Sequence, residues 1–291
     1  MHLILIGGAQ RSGTTLLQTL LANAVQSPIV PEAHILCDIV TSYKRAKGVW
    51  HKTRFYYPTQ ADLFAFFQGV VRQHMEGLPT SPKGGTLVLK DPNFVQVHAE
   101  LAEFFPTATQ IAYVRDPRDI AASFIQIGLR KPRKATLAYY QRRDMRSIST
   151  KIAASYDPLT LSHSKQGVKH VYYEKIAAAP AEALQALSRE AGLDLRLDQR
   201  ENPAWLPAEA RHDPAWITTL EGGQPSPDSI GIFRRVLRRD EIATVEQICA
   251  PVFDQFGYER SVPQSLARGL VAANAIRFGF GRVLHGIASS R

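Results

Sequence analysis

The sequence predicts an α/β protein, a single domain with a central parallel sheet flanked by helices. Short apolar runs of strand length recur along the 291 residues, near Leu3–Ile6, Thr86–Leu89, Gln110–Val114 and His170–Tyr173. Helical periodicity follows each of them, as at Ala181–Ala191, and alternation of this kind places helices on both faces of a parallel sheet. A glycine-bearing turn joins the first strand to the first helix. Ligands of such sheets bind at the carboxyl ends of the strands, and Arg11, Lys90 and Arg115 all fall at such ends.

The first element runs from Leu3 to Ile6, whose branched apolar residues suit a buried strand. Gly7, Gly8 and Gly13 permit a tight backbone after it, and Leu16, Leu17, Leu20 and Leu21 open a helix. A helix start offers unpaired N–H groups and a partial positive charge, so the turn predicts an anion site, with Ser12, Thr14 and Thr15 adding hydroxyl donors. An ATP or GTP loop would read GxxxxGK[ST]. From Gly8 the spacing fits until Thr14 stands in the lysine position, and Arg11 supplies the cation from inside the loop instead. Asp91, between Lys90 and Pro92, is the nearest acid to a magnesium-binding strand end, so no metal is expected.

The segment Arg11-Ser12-Gly13-Thr14-Thr15-Leu16 resembles the 5′-phosphosulfate loop of sulfotransferases that use 3′-phosphoadenylyl sulfate (PAPS), in a form similar to the tyrosylprotein sulfotransferases. The resemblance implies their P-loop-like fold, PAPS as donor and adenosine 3′,5′-bisphosphate (PAP) as product. Three further segments extend it. Gln110–Ser123 looks like the 3′-phosphate site, with Arg115 at the strand end and Ser123 eight positions on, in the helix. Arginine suits that task because its planar fork binds phosphate oxygens bidentately. Lys90-Asp91-Pro92 is similar to a triplet whose lysine lies beside the transferring sulfuryl group, where an ammonium neutralises charge on the leaving oxygen. Val171–Ile176 resembles a segment whose tyrosine contacts adenine, Tyr173 matching better than Tyr172.

An attacking hydroxyl must lose its proton, so the acceptor side needs a base. Glu32 follows Arg11 at the interval of the family's catalytic glutamate, and His34, two residues on, is its rival. Cytosolic small-molecule sulfotransferases place a histidine where Pro92 stands here, which favours the glutamate. The resemblance thus implies in-line transfer, with Arg11, Lys90 and the loop amides holding the sulfate and its bridging phosphate. Ser226–Arg235 looks like the late loop that closes over the nucleotide. Phe233 stands where many relatives have tryptophan, and Arg234 and Arg235 are candidates for the 3′-phosphate or for the start of a helix over roughly 239–255.

The acceptor itself is not legible: a peptide tyrosine, a sugar, a lipid and a small phenol present the same attacking oxygen. The walls that choose among them are expected in the insertions 37–57 and 130–156, rich in basic and aromatic residues. A kinase-like phosphotransferase with a non-standard loop is the competing reading.

Formal net charge is +9, which a site for several phosphates needs locally. Charge alone points to nucleic acid, and no nucleic-acid partner is expected. The sulfotransferase domain is expected over 1–260. Residues 261–291 form a basic segment, in which Gln264–Arg291 carries Arg268, Arg277, Arg282 and Arg291 without an acid. It is too interrupted to span a bilayer, and two alternatives stay open: an amphipathic helix in peripheral contact with a membrane, or a helix packed on the core. Two cysteines give no disulfide framework, and the first strand begins at once, so a cytoplasmic protein is expected, with a homodimer left open. The proline- and glycine-rich stretches 202–214 and 222–228 read as surface connections.

Overall fold

The computed structural model describes residues 2–78, 85–130, 138–157, 167–195 and 226–288. The expected connection at 202–214 and most of that at 222–228 lie outside them, as does part of the insertion at 130–156. The described chain divides into two compact units.

The first unit comprises 2–8, 13–78, 85–113 and 167–195 and holds the sheet. Its strands are β1 (His2–Gly8), β2 (Thr86–Lys90), β3 (Thr109–Val114, the last residue already in the second unit) and β4 (Lys169–Tyr172), in the order β2-β1-β3-β4. β1 pairs in parallel with both neighbours, Ile6 opposite Lys90 on one side and Gly8 opposite Tyr113 on the other. The chain crosses from β1 to one side and then to the other, so the carboxyl end of β1 is a topological switch point.

Alternation along the strands sorts the core into two layers. Ile4, Ile6, Val88, Ile111 and Tyr113 pack with Leu17 and Leu21 of α1 (Thr14–Ala24), Ile176 of α9 (Tyr173–Ala178), and Leu184 and Leu187 of α10 (Pro180–Ala191). Leu3, Leu5, Leu87 and Leu89 meet the other layer: α2 (His34–Gly48) through Leu36 and Val40, α4 (Gln60–Glu76) through Leu63 and Val71, and α5 (His98–Phe104) through Leu101 and Phe104. The α/β class read from the sequence therefore holds, a parallel sheet flanked by helices. The short α3 (Trp50–Thr53) follows α2, so much of the expected insertion at 37–57 is helix, with Leu36, Cys37, Val40 and Tyr43 as its buried stripe. Tyr173, expected in the fourth strand, is the first residue of α9.

The second unit comprises 9–12, 114–130, 138–157 and 226–288. It contains α6 (Pro117–Arg130), α7 (Ala138–Gln141), α8 (Met145–Ser155), α11 (Phe233–Val236), α12 (Arg239–Ile248), α13 (Ala250–Phe256) and α14 (Gln264–Ala288). The helix expected over 239–255 is two helices, because Pro251 has no N–H to continue the first and opens the second. α14 rests on α12, where Asn274 and Arg277 bind Asp240. Among the described residues no helix is long and apolar enough to cross a membrane.

Gly7 fixes one packing contact close to the site. A Cβ there would lie 2.6 Å from the Val95 backbone nitrogen, in the 3₁₀ turn Pro92–Gln96 that follows β2. Neither strand nor turn can yield without breaking its hydrogen bonds, so Gly7→Ala is expected to destabilise the protein by about 1–3 kcal/mol. The urea unfolding midpoint measures this; an unchanged midpoint would show that the turn is not seated on β1.

Candidate active site

In the first unit the site is built at the end of β2. The parallel register sets Lys90 beside Ile6, and the chain then turns at once: the Asp91 amide donates to the Ile6 carbonyl (3.1 Å), and the Asp91 carboxylate accepts from the Asn93 amide (2.8 Å), capping the 3₁₀ turn that Pro92 begins. The Lys-Asp-Pro order thus ends a strand, caps a turn and opens it. The Ala33 amide donates to the Lys90 carbonyl (2.9 Å), which ties the loop carrying Glu32 to the same strand end. Gln18 of α1 donates to the Val30 carbonyl (3.0 Å) and steadies the other side of that loop.

Lys90 is 1% exposed. Its ammonium donates to Glu32 Oε1 at 2.8 Å and to Thr15 Oγ1 at 3.1 Å. Burying an ammonium is unfavourable unless a carboxylate answers it, and here the partner is the expected base. Glu32 in turn meets His34, with Oε2 and Nε2 3.2 Å apart, and His34 Nδ1 is 2.7 Å from Asp91 Oδ2. The two rival bases are therefore neighbours in one chain of polar contacts. Sequence reasoning gave His34 and Asp91 no joint role, and 57 intervening positions carry no signal of it. These three side chains offer ligand atoms within 4.8 Å of one another, but the Lys90 ammonium already stands against Glu32, which disfavours a cation there.

Gly13 has φ +97 and caps α1 without any side-chain hydrogen bond, so the first-turn amides of α1, at Thr14 and Thr15, receive no side-chain cap. A Cβ at Gly13 would lie 2.8 Å from the Tyr173 ring. Tyr173 is 2% exposed and packs edge-on against Tyr113. Its ring lies beneath the glycine in the core; Tyr172 beside it is half-buried, with Lys175 over its ring.

The second unit assembles a different cluster. Arg11, in the left-handed region at φ +72, donates from Nε to Ser123 Oγ at 3.3 Å. Such a conformation is uncommon for a residue with a side chain and is sustained only by its surroundings. Arg115 donates from Nη1 to the Arg11 carbonyl (3.2 Å) and from Nη2 to the Ser229 carbonyl (2.9 Å). Ser12 Oγ is fully buried and has no hydrogen-bond partner among the described residues, an unsatisfied group of the kind that a bound anion resolves. Arg11, Ser12, Arg115 and Ser123 are thus brought together, with the late loop beside them.

Asp119 holds that late loop. Its carboxylate accepts from the Gly231 amide at 2.8 Å and the Phe233 amide at 3.0 Å. Burial pushes its carboxyl above the usual range, although Arg115 and these two amides favour the ion. Arg118 lies over the Phe233 ring at 4.3 Å and pairs with Asp116 and Glu246, so the phenyl ring is a packed support. Arg234 and Arg235 are exposed; Arg234 lies over Phe233, and Arg235 donates to the Asp228 carbonyl at 3.2 Å. Sequence reasoning missed Asp119, whose only signal is its place in the first turn of α6.

Solved structures share the architecture. The chain is similar to the sulfotransferase domain of the Synechococcus PCC 7002 olefin synthase (TM-score 0.55, 17% identity, 90% of this chain and 95% of that one). It is also similar to the sulfotransferase domain from the curacin biosynthetic pathway (TM-score 0.54, 16% identity, 89% and 99%), and to a sulfotransferase from Mycobacterium avium (TM-score 0.52, 17% identity, 89% and 78%). At these identities the likeness concerns the fold. Protein-tyrosine sulfotransferase A of Caenorhabditis elegans is 25% identical over 191 residues, 64% of this chain and 48% of the relative, so the match spans about half the relative's length. The sulfotransferase family model matches residues 4–197, more than half of the sequence, and the chain belongs to the sulfotransferase family.

Proposed function

We propose that this protein transfers a sulfuryl group from PAPS to an acceptor hydroxyl, releasing PAP. The observation that carries the reading is the buried Lys90 ammonium, 2.8 Å from Glu32 and 3.1 Å from Thr15 at the start of α1. A fixed cation at a helix start suits an anionic donor, and a carboxylate bound to it suits a base. In the proposal the amides of Gly13, Thr14 and Thr15 and the hydroxyls of the two threonines bind the 5′-phosphosulfate. Lys90 neutralises charge as it builds on the leaving phosphate oxygen, a role that the resemblance also gives Arg11, and Glu32 accepts the acceptor's proton. Positioning and preorganised charge supply most of the rate gain, and the roles assigned call on no metal.

Arg115 and Ser123, with Ser12, are assigned the 3′-phosphate, which would exchange the Ser229 carbonyl for phosphate oxygens on the Arg115 fork. Arg234 and Arg235 are assigned an outer electrostatic role, since both are exposed. Tyr173 is assigned a support role beneath Gly13, which leaves Tyr172 for the adenine. The catalytic domain is proposed to span 1–260. The acceptor is a hydroxyl compound of one of four classes: peptide tyrosine, sugar, lipid or phenol.

The test is incubation with radiolabelled PAPS in EDTA together with a tyrosine peptide, a monosaccharide, a lipid glycoside and p-nitrophenol. Label is expected in at least one acceptor; none in any, with magnesium-dependent consumption of ATP, would favour the phosphotransferase reading. Glu32→Gln is expected to lower turnover by about 10²–10⁴-fold while PAP affinity stays within a factor of about two. Retention of most activity would remove Glu32 as the base. Arg115→Ala is expected to weaken PAP roughly tenfold or more, the loss of charge-assisted hydrogen bonds worth about 1.5–3 kcal/mol. Adenosine 5′-phosphate should weaken much less, and equal losses by calorimetry would take Arg115 out of the 3′-phosphate site.

A further inference from the structure

Glu32, His34 and Asp91 stand in a row: Glu32 Oε2 is 3.2 Å from His34 Nε2, and His34 Nδ1 is 2.7 Å from Asp91 Oδ2. Solvent reaches the three unequally. The Asp91 side chain is fully buried and that of Glu32 is 23% exposed, whereas the His34 ring is 64% exposed. The two ring nitrogens also differ. An ionised carboxylate only accepts, so Asp91 keeps a proton on Nδ1, and Nε2 is the atom free to gain and lose one. At 3.2 Å, Glu32 Oε2 and His34 Nε2 are within reach of a proton passed from one to the other.

The geometry points to a proton outlet: His34, oriented by Asp91, receives from Glu32 the proton taken from the acceptor and releases it to water. This rests on the sulfuryl-transfer reading above. As the acceptor oxygen bonds to sulfur, the bond from sulfur to the bridging phosphate oxygen breaks, and PAP leaves with that electron pair. The acceptor's proton moves to Glu32 Oε2 and then to His34 Nε2, forming an imidazolium between two carboxylates. Its loss to water restores the neutral ring and the Glu32 carboxylate. Lys90, on Oε1, keeps Glu32 aimed throughout and takes no proton. His34 and Asp91 are positioning residues here, since they act through Glu32.

Among the described residues the charged groups in contact with the ring are Glu32 on its own loop and Asp91 at the end of β2; Lys90 stands on the other oxygen of Glu32, and Asp38 follows His34 by one turn of α2. Cys37, also on α2, stays neutral, since burial and then Asp91 push its thiol up to about 12. The two carboxylates in contact with the ring, Glu32 at Nε2 and Asp91 at Nδ1, are the charges nearest to it.

The test is NMR of protein labelled at its histidine ring nitrogens, with the His34 signals assigned from His34→Asn. The Nδ1–H tautomer is expected for His34 in the wild type, and a mixture of both tautomers in Asp91→Asn. Asp91 is buried, and if its substitution prevents folding, the wild-type tautomer decides alone. The Nε2–H tautomer in the wild type would overturn the proposal. With p-nitrophenol as acceptor in EDTA, His34→Ala is expected to lose about tenfold in turnover at unchanged PAP affinity and to regain it with added imidazole. Undiminished turnover would overturn the proposal as well. Absence of PAP release by the wild type would count against the sulfuryl reading alone, because the tautomer is read without turnover.

Discussion

The ion pair between Lys90 and Glu32 is the constraint from which the rest of the first unit's site follows. An ammonium that is 1% exposed has no water to answer its charge, so the fold must bring it a carboxylate. Glu32 arrives on a loop pinned to the Lys90 carbonyl through Ala33, and Thr15 arrives on the first turn of α1, so one side chain gathers three segments of the chain. Pairs of this kind contribute little net stability, because desolvation offsets their attraction. Their value lies in position. A charge held by packing and hydrogen bonds need not reorganise when charge develops beside it, which is the condition for electrostatic catalysis.

The second unit solves a related problem with backbone carbonyls. The Arg115 fork is occupied by the carbonyls of Arg11 and Ser229, which orient it. Asp119 fixes the late loop from the other side through two amides. The left-handed conformation of Arg11 fits this picture, because the strain is held by the bond to Ser123 and by Arg115 on its carbonyl.

β1, β2 and β3 were legible because they are buried on both faces, so their apolar runs needed no partner to be recognised: Leu3–Ile6 lies within His2–Gly8, and Gln110–Val114 within Thr109–Val114. Single residues marked the errors. Tyr173 extends an apolar run by one position but opens a helix, and Pro251 splits a helical period that otherwise continues. The insertion after Glu32 was harder, although its stripe of Leu36, Val40 and Tyr43 has helical spacing, because exposed basic and aromatic residues crowd around it. In the candidate site, the resemblance of their segments singled out Lys90 and Glu32, whose side chains meet at 2.8 Å. Contacts that depend on distant pairs were not: nothing local in Pro31–His34 announces Asp91, and nothing in the first turn of α6 announces the amides of Gly231 and Phe233.

The proposed function requires a metal-independent site for a nucleotide that carries both a 5′-phosphate and a 3′-phosphate. Calorimetric titration of the protein with PAP, ATP and adenosine 5′-phosphate, each in EDTA, addresses it most directly. Micromolar or tighter binding of PAP, with ATP and adenosine 5′-phosphate at least tenfold weaker, is the result the account predicts, since only PAP carries both a 5′-phosphate and a 3′-phosphate. Failure to bind PAP, with ATP binding that appears when magnesium is supplied, would contradict it.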